Sequence, residues 1–118
     1  MPYLMLIMEH PDRRRNRPEE QRAREFDRMN AFAGDLARRG VLTACESLKS
    51  LADGVRIAVR GGKRLVADGP FAEAKEMVGG FFLLACPTRE EALEIAAACP
   101  ATEWATVEVR EVGPCTGE

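Results

Sequence analysis

The sequence predicts an α+β domain of ferredoxin-like type, an antiparallel sheet with two helices on one face and an inserted β-hairpin. Three observations predict it. Only two long segments carry helical periodicity, strand-length apolar runs flank each of them, and a Gly-Gly pair divides two alternating stretches in mid-chain. At 118 residues the chain reads as one domain, residues 1–118, long enough to bury a core and too short for two.

The elements follow in order. "YLMLIM", 3–8, is a continuous apolar run of strand length and is expected to be buried on both faces, with Glu9, His10 and Pro11 ending it. "DRRRNRP", 12–18, reads as a polar loop whose Arg13, Arg14, Arg15 and Arg17 could contact phosphates, a solvated basic loop being the commoner reading, and Pro18 suits the first turn of a helix. Ala23, Phe26, Met29, Ala33 and Leu36 then recur at spacings of three and four, the stripe of an amphipathic helix of roughly 20 residues. Gly40 stops it.

"VLTACESL", 41–48, is the second strand. In "VRIAVR-GG-KRLVAD", 55–68, a two-residue turn at Gly61 and Gly62 makes a hairpin in which Arg60 faces Lys63, Ile57 faces Val66 and Val55 faces Asp68. "FAEAKEM", 71–77, has the composition of one or two helical turns. "GFFLLAC", 80–86, is a strand apolar on both faces. Thr88 and Glu91 then fit a capping box, and Leu93, Ala96 and Ala97 form a helical stripe that Pro100 ends. "ATVEVREV", 105–112, alternates as a half-buried strand does.

Composition narrows the function classes. With 17 basic against 19 acidic side chains, the net charge of -2 offers no general attraction to nucleic acid or anionic membranes. "GGFFLLAC" also lacks the basic and aromatic alternation on which RNA-recognition sheets stack bases. No apolar segment approaches a bilayer span, and "MPYLMLIMEH" lacks the pattern of a signal peptide, so a cytoplasmic protein is expected. Cys45, Cys86, Cys99 and Cys115 form no CxxC pair and His10 is the only histidine, so neither a metal nor a cofactor is expected and the thiols should be reduced. Phosphate-loop, dinucleotide and serine-nucleophile motifs are absent.

Two helices on one face leave the other face of the sheet bare. Leu, Met and Phe dominate both faces of the central strands, and burying each such side chain is worth roughly 1.5 to 3 kcal/mol. A homodimer through the open sheet face is therefore expected, keeping a cleft for a small molecule.

The hairpin register sets Asp68 beside Val55, Ile57 and Val66, at the rim of an apolar face where desolvation would raise its pKa. That makes Asp68 a candidate general acid or base, with Lys75 or Arg110 as charge partners. Alternatively it starts the Asp-Gly turn or caps a short helix from Pro70. Phe71, in the same stretch, is a candidate ligand contact. So are His10, after the first strand, and Glu46, in an otherwise apolar strand where an ion pair with an arginine is the competing reading.

"DGPFAEAKE", 68–76, followed by "GGFFLL", "EALEIAAACP" and "VEVREV", closely resembles the DGPFAETKE family, also called the DGPF-domain or YCII-related family. The core motif differs by one residue, Ala74 where the family name has Thr. The resemblance implies a dimeric α/β barrel of ferredoxin-like protomers, a largely unestablished biochemical activity, and genes often beside extracytoplasmic-function sigma factors. Wider relatives are suggested to be enzymes with a His-Asp pair in the cleft. On an ungapped reading from Gly40 their helix histidine falls at Met29, so only the aspartate, Asp68, is present, and a base without its imidazole lacks its orienting partner. Two functions are carried forward: a small homodimeric protein binding a small molecule near the DGPF stretch, in a setting that the resemblance links to sigma-factor regulation, and a cofactor-independent proton-transfer or lyase-like enzyme using Asp68, with Lys75, Arg110 or His10 orienting substrate.

Overall fold

The computed structural model describes residues 2–115. Its elements are β1 (Tyr3–Glu9), α1 (Arg13–Asn16), α2 (Glu19–Arg38), β2 (Leu42–Ser47), β3 (Val55–Arg60), β4 (Lys63–Asp68), β5 (Met77–Leu84), α3 (Arg89–Ala98) and β6 (Thr106–Glu111), with 3-10 turns at Leu51–Asp53 and Pro100–Glu103. Four strands form one antiparallel sheet in the order β2-β5-β1-β6, and among the described residues β3 and β4 pair only with each other. This is the ferredoxin-like arrangement with an inserted hairpin.

Both long helices pack on the same face. Tyr3, Met5 and Ile7 of β1 and Phe82 and Leu84 of β5 are buried against Leu36 of α2 and Ala92, Ile95 and Ala96 of α3. Alternation sends Leu4, Leu6 and Met8 to the opposite face, where they are half-buried, as are Phe81 and Leu83. The apolar runs are thus fully buried on one face only within a single copy. Gly40, at φ +74°, closes α2, and the Thr88 hydroxyl accepts the Glu91 N–H at 3.2 Å to cap α3.

The hairpin has the expected register, from Val55 opposite Asp68 to Arg60 opposite Lys63. Gly61 and Gly62 take φ of +56° and +79°, the positive angles that a two-residue turn needs at both positions.

Four expectations are corrected. Residues 13–16 are a short helix, and Arg13, Arg14 and Arg17 are half-buried in ion pairs, because Glu9 at the end of β1 and Glu25 on α2 come to meet them. Residues 71–76 hold a turn closed by Ala74 N–H donating to Phe71 C=O at 2.9 Å, and β5 starts at Met77, since pairing with the end of β1 outweighs local helix propensity. Phe26 stays 63% exposed. On α3 the buried stripe is Ala92, Ile95 and Ala96, leaving Leu93 exposed, because docking on β1 rotates the helix from the face its leucine suggested.

Candidate functional site

A cavity of about 440 Å³ lies between α2 and the helix-covered face of the sheet. Its charged part is assembled where β1 and β2 end and β5 begins. Arg14 Nε donates to Glu9 Oε1 at 2.7 Å, Nη2 donates to the Gly79 carbonyl at 2.8 Å, and Nη1 donates to the Leu48 carbonyl. One guanidinium thereby ties three strand ends, and it matches the buried Glu9 with an opposite charge. Gly79 is the extra residue at the irregularity between Ile7 and Met8, and a Cβ there would stand 2.6 Å from Glu9 Oε1.

Glu25 of α2 anchors the neighbouring wall. Its carboxylate accepts from Arg13 Nη2, from Arg17 Nη1 at 2.6 Å and from Gln21 Nε2 at 3.1 Å. Burial pushes the carboxyl up, but hydrogen bonds from Arg13, Gln21 and Arg17 outweigh it and hold its pKa down at about 2. Two guanidiniums share this single carboxylate. Among the described residues, Arg13 Nη1 and Arg17 Nε are buried without a hydrogen-bond partner.

The apolar part is lined by Ile7, Phe26, Met29, Ala33, Cys45, Phe82, Ala101 and Trp104. The Trp104 ring is flanked by the guanidiniums of Arg13 at 5.3 Å and Arg28 at 5.6 Å, and Phe32 meets Phe82 edge to face at 5.5 Å. Burial pushes the Cys45 and Cys99 thiols up, which keeps them protonated and poorly nucleophilic.

Of the candidate catalytic and ligand-contact residues Asp68, His10, Glu46, Phe71, Lys75 and Arg110, only Glu46 borders this cavity. Alternation gives its side chain to the face of Phe81, opposite Cys45, and it forms no ion pair among the described residues. Asp68 is exposed at the base of the hairpin. Phe71 lies under the Arg56 guanidinium at 3.6 Å, and Arg56 pairs with Glu73 at 3.0 Å, so this aromatic secures the hairpin base. Lys75 is exposed beside that turn. Arg110 is on the open sheet face opposite Leu4, and His10 is at the surface with Nδ1 accepting the Asp12 N–H at 3.1 Å. The structure does not bring these residues together. Arg14 and Arg17, from the basic loop weighed as an anion contact, also border the cavity, whereas Arg22, Glu25 and Trp104 were not singled out from sequence and Phe26 was expected in the core. The one available signal was Glu25 standing next to Phe26 on the apolar side of α2. Met29, where the histidine of wider relatives would fall, is on the cavity wall.

Among the described residues, no group of three His, Cys, Asp or Glu could hold a metal ion, and no helix is long and apolar enough to cross a membrane. A family model described as the YCII-related domain matches residues 1–116. An uncharacterized protein of Rhizobium meliloti (strain 1021) is 40% identical over 63 residues, 53% of this chain and 44% of that protein. The match therefore spans under half the length of that curated relative. Among solved structures, 5-chloro-2-hydroxyhydroquinone dehydrochlorinase from Burkholderia phenoliruptrix AC1100, in complex with 2,5-dihydroxybenzoquinone, is similar with a TM-score of 0.52. That likeness covers 96% of this chain and 94% of the other at 13% identity, and it shows a shared fold.

Proposed function

Because this chain belongs to the YCII-related family, we propose that it binds a small molecule in the cavity between α2 and the sheet and works as a homodimer through its open sheet face. The observation that carries the proposal is the cavity itself. Its volume of about 440 Å³ falls within the roughly 300 to 1,000 Å³ of ligand sites, and it combines an apolar wall with a few fixed charged groups. The ligand is put here rather than at the DGPF stretch because Asp68, Phe71 and Lys75 do not border the cavity.

A second reading is a cofactor-independent proton-transfer or lyase-like enzyme with Asp68 as acid or base, supported by analogy with the dehydrochlorinase of like fold. It requires a second copy to cover the Asp68 side of the hairpin, since in one copy this carboxylate is in solvent. Thermal-shift screening against a metabolite library, on the unaltered chain, Ala33→Leu and Asp68→Asn, tests both. A hit raising Tm by several degrees in the unaltered chain and in Asp68→Asn, but not in the cavity-filling Ala33→Leu, is expected. Hits lost in Asp68→Asn and kept in Ala33→Leu would move the site to the hairpin.

A further inference from the structure

We infer that the cavity takes an organic anion, a small molecule with a flat apolar body and one carboxylate or phenolate, its charged end held by Arg17 and Arg22. The inference rests on reading the cavity as a ligand site. It comes from the pairing of charges around the cavity.

Both oxygens of Glu25 are occupied, yet two guanidiniums converge on it, so this wall keeps an uncompensated positive charge. Arg17 borders the cavity; Nε is buried out of reach of a ligand and Nη1 is bonded to Glu25, while Nη2 forms no hydrogen bond among the described residues. Such a guanidinium N–H can give an incoming anionic oxygen a charge-assisted bond. Arg22 also borders the cavity, is exposed, and forms no ion pair among the described residues. It stands one helical turn before Phe26, so both side chains lie on the same face of α2.

Arg14 is not available in the same way, because Nε, Nη1 and Nη2 are all bonded within the protein. Glu9 is paired with Arg14 through Oε1, both oxygens of Glu25 are engaged, and alternation takes the Glu46 side chain to the other face. The site thus has donors to spare, and the charges of Glu9 and Glu25 are already matched by guanidiniums. The body of the ligand follows from the aromatic walls. Phe26 is 63% exposed at the cavity, an arrangement that apolar burial disfavours until a flat apolar group covers it.

Benzoate and its neutral isostere benzamide, titrated calorimetrically into the unaltered chain, Arg22→Gln and Ala33→Leu, test the inference. Benzoate is expected to bind about tenfold or more tighter than benzamide and to weaken with added salt. Arg22→Gln is expected to lower benzoate affinity about fivefold or more and leave benzamide unchanged, and Ala33→Leu to lose both. Equal binding of the two probes, both lost in Ala33→Leu, overturns the anion inference while the cavity reading stands. Benzoate binding indifferent to Ala33→Leu overturns both. Binding of neither probe at millimolar concentration overturns the anion inference, and the library screen then decides the cavity reading separately.

Discussion

Glu25 is where a single residue matters most. Three donors converge on its carboxylate, and its pKa of about 2 lies well below the 4.5 of an ordinary glutamate. The folded chain therefore binds this proton more weakly than the unfolded chain does. The stabilisation is fully present above about pH 4.5 and is lost as pH falls through about 2. In urea titrations, the midpoint of the unaltered chain is expected to drop across that window, while Glu25→Gln is already weaker at pH 7 and changes less. A constant gap between the two from pH 7 to pH 2 would show that Arg13 and Arg17 do not depend on this charge. The residue was not legible as a site. Its partners lie in a run of arginines that looks solvated, and only folding brings that run against α2.

At the scale of elements, the DGPF stretch is a fastening for the hairpin. Gly69 N–H donates to the Gly54 carbonyl at 2.8 Å, and a Cβ on Gly69 would run into the Leu51 carbonyl oxygen and stand 3.2 Å from Gly54 O. Only glycine fits that close backbone approach. Gly69→Ala is expected to cost about 1 to 3 kcal/mol in chemical denaturation. Hydrogen exchange should quicken first at 55–68, because the hairpin strands pair with no other strand. Unchanged exchange there would mean that the hairpin is held from elsewhere. The hairpin, its register and its turn were legible, because alternation about a Gly-Gly pair is a local signal. That residues 71–76 form a turn was not, because a long-range pairing of Met77 with Glu9 decides it.

The whole molecule is thin and broad. It measures 47 × 43 × 18 Å, and its radius of gyration of 16.3 Å exceeds the roughly 13 to 14 Å of a compact chain of this length. The excess comes with an exposed hairpin, whose Val55, Ile57, Val59 and Val66 share one uncovered face, Ile57 at 66% exposure. Leu4, Leu6, Met8, Phe81 and Leu83 add a second apolar surface on the open side of the sheet. Apolar surface on this scale favours association of copies. Sedimentation velocity at micromolar concentration is expected to give a species of twice the 13.0 kDa chain mass, and Leu6→Lys to shift it toward the single chain. A lone 13.0 kDa species from the unaltered chain would remove the homodimer from the proposed function.

The sequence by itself determined the elements whose signals are local. The two helices, the hairpin with its register, the Thr88 cap and the antiparallel α+β class all follow from periodicity and turn chemistry within a few residues. The tertiary structure alone decided where the cavity is and which charges surround it. Glu9, Arg14 and Gly79, or Arg17, Glu25 and Trp104, become neighbours only when strand ends and helix meet, and no spacing along the chain encodes that meeting. Asp68, chosen for its residue type, was therefore read correctly as part of the hairpin, while most of the cavity wall is built by residues that looked like solvent or core.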